Sequence, residues 1–159
     1  MTTIPIRTAS GKTIDLLRPD PFMLDLDDIA LHLSRQIRYY GAYNVSTAEH
    51  CFAVSIMLRN GSTPTYLERA GLLHDAAEAY MGDVSYALKP MLPEYVKLER
   101  RLMGVIYTRF CGRTPTHDEE NRIKAADVGV ARLEMHTREP FWDSETAYRM
   151  FLGRWGEMG

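Results

Sequence analysis

Cysteine is scarce in this chain: Cys51 and Cys111 are the two present, and they form no CxxC pair. That excludes a disulfide-dense secreted scaffold, and reduced thiols in a cytoplasmic protein are the expectation. Long hydrophobic runs are missing too. No stretch approaches the roughly 20 apolar residues of a transmembrane helix, and Met1 to Arg7 has no apolar signal-peptide core. An excess of one charge is also absent. With a net charge of −2 and a pI near 6.2, no strong field draws the chain to a nucleic-acid polymer or an anionic membrane. A small polyanion held by local basic groups stays compatible with these numbers. Internal repeats, low-complexity tracts and a second domain are likewise not seen. The 159 residues, 45% hydrophobic and 25% charged, read as one soluble domain, residues 1–159.

What is there centres on Leu72-Leu73-His74-Asp75-Ala76-Ala77-Glu78-Ala79-Tyr80-Met81-Gly82-Asp83. These twelve residues hold one imidazole and three carboxylates among apolar neighbours that suit a buried helix. Burying such groups without partners costs several kcal/mol, so pairing or metal binding is expected. Neighbours on a helix diverge by about 100°, so His74 and Asp75 can share a metal only near a helix end or with convergent rotamers. Glu78, four residues after His74, projects over the same patch as a carboxylate able to handle a bound water. A His-Asp pair that merely bridges helices explains this stretch equally well when it is taken alone.

Along the chain, residues 4–17 alternate polar and apolar around Ser10-Gly11 and predict a β-hairpin. Arg18-Pro19-Asp20-Pro21 is a linker. A helix is expected to start between Asp25 and Asp28 and run to Tyr40, stopping at Gly41, with Ile29, Leu33, Ile37 and Tyr40 as its apolar stripe. Arg38 would then sit at its C-terminal end, where interaction with the helix dipole competes with ligand binding as its role. Ser46 and Glu49 have capping-box spacing ahead of a helix that carries His50 in its first turn. Thr63-Pro64-Thr65 is expected to open the central helix with the His74 stretch. A helix from about Glu94 to Cys111 follows, with Val96, Leu98, Leu102, Val105, Ile106 and Phe110 inward. The next runs from His117 to about Thr137, burying Ile123, Ala126, Val130 and Leu133. It places Asp127 among small residues, which is no setting for a merely solvated carboxylate. Asp143-Ser144 caps a last helix from Glu145 to about Trp155. The class is all-α with a short N-terminal hairpin.

The candidate ligands collected along the chain are His50, His74, Asp75 and Asp127. Two imidazoles and two carboxylates suit one divalent transition ion, Mn²⁺, Co²⁺, Ni²⁺, Fe²⁺ or Zn²⁺, and disfavour an oxygen-only Ca²⁺ site. His32, His117 and His136 do not form a second-metal pattern, and Cys51 reads as a small buried hydrophobe.

The order His, His-Asp, distant Asp resembles the HD superfamily of metal-dependent phosphohydrolases. Within it, the likeness is to the 5′-deoxynucleotidase-like branch that includes phage dATP triphosphohydrolases. It is carried by His32-Leu33-Ser34-Arg35 with Arg38, Ser46 to His50, Leu73 to Glu78, Gly82-Asp83, Lys89-Pro90 and Lys124 to Asp127. The resemblance implies an HD-type helical bundle with His50, His74, Asp75 and Asp127 as metal ligands. It implies that Glu78 orients or deprotonates the attacking water and that Asp83 assists proton transfer near the leaving oxygen. Arg38, Tyr39 and Lys89 fall to the substrate, with Mg²⁺ as a second, substrate-bound ion. A homo-oligomer, dimer or hexamer, is the family's habit. Tyr39 stands where the 5′-deoxynucleotidases have tryptophan, so the base-facing pocket is not carried over, and the paired carboxylates of the alarmone-hydrolysing branch are absent. A deoxynucleoside triphosphate such as dATP is the expected substrate, on the strength of Ser10-Gly11-Lys12 to Leu17, which looks like the phage enzymes. Hydrolysis of deoxynucleoside monophosphates is the alternative, and a non-catalytic nucleotide sensor is the rival of another class.

Overall fold

The computed structural model describes residues 5–61, 65–137 and 141–159. Among them lie a two-stranded hairpin and seven α-helices, so the all-α class with an N-terminal hairpin is observed. Ile4 at the expected hairpin start and Thr63-Pro64 ahead of the central helix lie outside the described residues.

Strands β1 (Ile6–Arg7) and β2 (Thr13–Ile14) pair antiparallel, Ile6 opposite Ile14. They are shorter than the alternation predicts, and Gly11 turns the chain between them at φ 85°. The hairpin is pinned to helix α1 (Leu26–Arg35): buried Asp28 accepts hydrogen bonds from Ser10 N and Oγ at 2.8 and 2.6 Å. Lys12 pairs with the N-cap Asp25 at 2.7 Å. The Ser10-to-Lys12 turn is therefore engaged with α1.

Helix α1 ends at Arg35, five residues short of the expected Tyr40. Gln36 turns extended, and residues 36–38 bridge residues 45–47, with Arg38 N donating to Val45 O and Thr47 N to Gln36 O. Those backbone groups find partners outside a helix. Ile29 and Leu33 are buried as predicted, whereas Ile37 and Tyr40 are exposed. Tyr39 and Tyr40 both adopt left-handed backbone angles, at φ 53° and 55°.

Helix α2 (Thr47–Met57) is capped by Ser46, but Glu49 does not complete the box. Its carboxylate instead accepts from Trp142 N at 2.9 Å, tying α2 to the approach of the last helix. A capping box does form at Thr65 and Glu68, starting α3 (Tyr66–Leu72). The central helix is not continuous. It stops at Leu72, turns through residues 73–77 and resumes as the short α4 (Glu78–Met81), which Gly82 closes at φ 78°. The break resolves the 100° divergence of His74 and Asp75, since both lie beyond a helix end.

Helices α5 (Pro93–Cys111), α6 (His117–His136) and α7 (Ser144–Glu157) follow the expected spans within a residue or two. The core packs Ile14, Ile29, Leu33, Leu72, Leu73, Leu102, Ile106 and Phe151 together. A smaller cluster, Val54, Leu58, Leu67, Ile123 and Val130, joins α2, α3 and α6. Leu133, expected inside, is 60% exposed, and its neighbour Glu134 takes the buried place at 6%. Arg154 of α7 donates to Glu68 in a buried ion pair that ties α7 to α3. No described helix is long and apolar enough to cross a membrane.

Candidate metal centre

Three segments that are distant in sequence meet where α2, α6 and the 73–77 turns converge. His50 enters from the first turn of α2 and is fully buried. Asp127 enters from the middle of α6, and small residues let that helix come close: a side chain on Gly129 would touch Met57 Sδ at 3.1 Å. Between them stand His74 and Asp75. His50 Nε2 lies 3.1 Å from Asp127 Oδ1, His74 Nε2 lies 3.9 Å from the same oxygen, and His74 Nε2 lies 3.2 Å from Asp75 Oδ2. Donor atoms of His50, His74 and Asp75 all fall within 4.8 Å of one another. The four sequence candidates thus come together.

The two imidazoles are oriented alike. His74 Nδ1 faces the Gly71 carbonyl at 2.8 Å, and His50 Nδ1 faces Glu134 Oε1 at 2.8 Å. Each Nδ1 faces an outer acceptor, which leaves each Nε2 turned towards the carboxylates, as metal-ligating histidines are held. His74 Nε2 is buried and makes no hydrogen bond. An imidazole pair, two carboxylates and this unsatisfied nitrogen fit a divalent transition ion.

Charge is crowded here. Burial pushes the His74 pKa down, but Asp75 beside it outweighs that and holds it well above its ordinary value. Burial opposes ionisation of Asp75 and Asp127, yet His74 for the first and the His50 hydrogen bond for the second bring both below the usual carboxylate range. Glu78 goes the other way. Its burial, and repulsion from Asp75 and Asp83, raise it to about 9. Its Oε2 is buried without a hydrogen bond, and its Oε1 lies 3.6 Å from Lys89 Nζ. Asp83 is exposed, just past Gly82.

Two clefts flank the His74–Asp75 pair. One, of about 210 Å³, is lined by Glu78, Lys89, Glu99, Arg100 and Met103. The other, of about 240 Å³, is lined by Tyr107, Glu120, Lys124 and Asp127. Lys89 holds Glu99 at 2.7 Å, and Lys124 holds Asp127 at 2.6 Å. Arg38 and Tyr39 line neither cleft. Arg38 stands behind the cluster, 3.4 Å from Asp75 and 3.6 Å from Glu134, so its role at the substrate is not what this geometry displays.

Glu99, Arg100 and Glu134 were not singled out by the sequence. Glu134 had a signal: it lies seven residues after Asp127, two turns along the same helix face. Arg100 had none, being one of several basic residues on α5. His32 is structural. Its Nδ1–H donates to Ala79 O at 2.8 Å and its Nε2 accepts from Ala9 N at 3.4 Å, tying the hairpin to α4. His136 donates to the Arg132 carbonyl. Cys51 is fully buried in the core as a small hydrophobe.

No protein-family model matches the chain. It is 35% identical over 154 residues to the uncharacterized protein RCAP_rcc00048 of Rhodobacter capsulatus, an alignment covering 91% of this chain and 78% of that protein. It is 32% identical over 133 residues to the uncharacterized protein YfdR of Escherichia coli K12, covering 81% of this chain and 69% of YfdR. The chain belongs to the family of these two proteins.

Proposed function

We propose that the protein is a divalent-metal-dependent phosphohydrolase acting on 2′-deoxynucleotides, with a triphosphate such as dATP as its substrate, in the manner of the HD superfamily. One observation carries the proposal. Both imidazoles present Nε2 to Asp75 and Asp127, while each Nδ1 is tied outward to a fixed acceptor. Bringing His50 from α2, Asp127 from α6 and His74 and Asp75 from a helix break to one point is a costly arrangement for a purely structural bundle, because it crowds imidazoles and carboxylates together away from water.

His50, His74, Asp75 and Asp127 would hold the ion. Once bound there, a divalent ion supplies the positive charge that polarises phosphoryl oxygens and favours the ionised form of Glu78. Glu78 presents a buried, unbonded Oε2 next to that position, suited to taking a proton from an attacking water. Lys89 and Arg100 line the same cleft and offer cationic groups for substrate phosphate. Asp83, near enough to Glu78 to raise its pKa, would assist proton transfer near the leaving oxygen. The functional unit is proposed to be cytoplasmic and homo-oligomeric, a dimer or a hexamer.

The test is incubation of metal-stripped protein with each dNTP and dNMP after Co²⁺ or Mn²⁺ is restored, with nucleoside, phosphate and tripolyphosphate separated. Deoxynucleoside and tripolyphosphate from dATP, with dAMP untouched, is the expected result. Glu78→Gln should reduce turnover by about 10²–10⁴-fold while metal and nucleotide still bind. Products from monophosphates alone would reassign the protein as a 5′-deoxynucleotidase. Nucleotide binding without turnover under every metal would leave a sensor.

A further inference from the structure

A buried chain of contacts links the loop after α1 to one metal-site imidazole. Tyr39 Oη donates to Glu134 Oε2 at 2.6 Å, and Glu134 Oε1 accepts from His50 Nδ1 at 2.8 Å. Glu134 thus spends one oxygen on each neighbour. Arg38 closes the group, with Nε 3.6 Å from Glu134 Oε2 and its guanidinium 5.0 Å from the centre of the Tyr39 ring. The ring of Tyr43 meets that of Tyr39 edge-on at 5.5 Å. The arrangement is imposed on the backbone, because Tyr39 is held in the left-handed region, where a side-chain-bearing residue is disfavoured. Glu134 itself displaces Leu133 from the inward stripe of α6, so a carboxylate occupies a place where an apolar side chain would have been simpler.

We propose that Glu134 is a positioning residue that sets the affinity of the site for its metal by fixing the tautomer and ring orientation of His50. Tyr39 acts through it. A carboxylate accepting from Nδ1–H raises the electron density that Nε2 offers a cation and removes the ring's freedom to turn away. The Tyr39 hydroxyl, in turn, locks the carboxylate in the plane that reaches His50. This gives Tyr39 a purpose different from contact with a nucleotide base, in keeping with its absence from both clefts. The inference rests on the metal site of the proposed function and adds to it two residues that are not ligands.

The experiment is calorimetric titration of Co²⁺ into the metal-stripped, full-length chain and its Glu134→Ala, Glu134→Gln, Tyr39→Phe and Glu134→Ala/Tyr39→Phe variants, with apo unfolding recorded beside it. Glu134→Ala should weaken Co²⁺ binding by about 10–100-fold, and Glu134→Gln, whose amide oxygen still accepts from Nδ1, by less. Tyr39→Phe should cost roughly two- to tenfold, the worth of one hydrogen bond. It should cost nothing further once Glu134 is alanine, since the two act in series. Unchanged Co²⁺ affinity in Glu134→Ala, or an equal Tyr39→Phe loss in both backgrounds, would overturn the proposal. Should Glu134→Ala fail to fold, Tyr39→Phe and Glu134→Gln decide alone: wild-type affinity in both would overturn it. An unsubstituted chain that takes up no Co²⁺ would remove the proposed metal site together with this inference.

Discussion

Glu78 is the residue on which burial and charge conflict most. Its carboxyl is buried between Asp75 and Asp83, with Lys89 at 3.6 Å as the partly compensating cation. A carboxyl whose folded pKa stands near 9, against an ordinary 4.5, keeps its proton in the folded state while the unfolded chain releases it. The sign follows by linkage: nothing is lost below pH 4.5, stability falls as pH rises between the two values, and the full penalty remains above about 9. His74, also raised, adds a loss of the same sign as it deprotonates. Metal-stripped protein should therefore lose stability steadily from mildly acid to alkaline pH in denaturant unfolding. Glu78→Gln, which cannot ionise, should flatten that fall, and an unchanged profile would contradict a Glu78 carboxyl kept protonated by burial and by its acidic neighbours.

The four candidate ligands that the structure brings together were legible in the sequence because a buried His-Asp dipeptide, a first-turn histidine and an aspartate among small residues each violate the ordinary pattern of their surroundings. Glu134 was not. Its neighbour Leu133 satisfied hydrophobic periodicity at the same turn, and only the reach of the carboxylate to His50 decides which of the two faces inward.

Element by element, the helix starts were legible but their capping less so: the expected box at Ser46 and Glu49 is half formed, with Ser46 capping α2 while Glu49 accepts from Trp142 N, and the complete boxes lie elsewhere. Thr65 with Glu68 and Thr116 with Glu119 form capping boxes that start α3 and α6, the helices bearing the approach to His74 and the Asp127–Glu134 face. Two elements misled. The apolar spacing of Ile37 and Tyr40 favours a longer α1, yet residues 36–38 gain more by bridging residues 45–47. The Leu72-to-Met81 stretch looked like one helix because a turn rich in alanine has helix-like composition. Backbone strain in the Tyr39–Tyr40 turn supplies a prediction at this scale. Tyr40 is 80% exposed at φ 55°, so its side chain contributes little packing to offset the conformation. Tyr40→Val should destabilise by about 1–2 kcal/mol, the cost of a β-branched residue in the left-handed region, whereas Tyr40→Gly should be near neutral. Thermal unfolding of the two variants checks it, and equal midpoints would contradict the left-handed backbone at Tyr40.

For the whole molecule, the bundle works as a frame in which α2, α6 and the helix break are each fixed by separate packing. Leu72 and Leu73 anchor the break in the main core, while Val54, Ile123 and Val130 hold α2 against α6. Neither half of the site is therefore built by the ion alone. The apo chain should be folded, and metal should add stability by mass action, about 2.7 kcal/mol when the free ion stands at 100 times its dissociation constant. The most direct measurement is the visible absorption of Co²⁺ titrated into metal-stripped protein, alone and with His74→Ala or Asp127→Ala. One Co²⁺ per chain with ligand-field bands of mixed nitrogen and oxygen coordination, lost or sharply weakened in both variants, is the predicted result. Absence of such bands, or the same stoichiometric spectrum in His74→Ala, would contradict the claim that these residues form a metal centre.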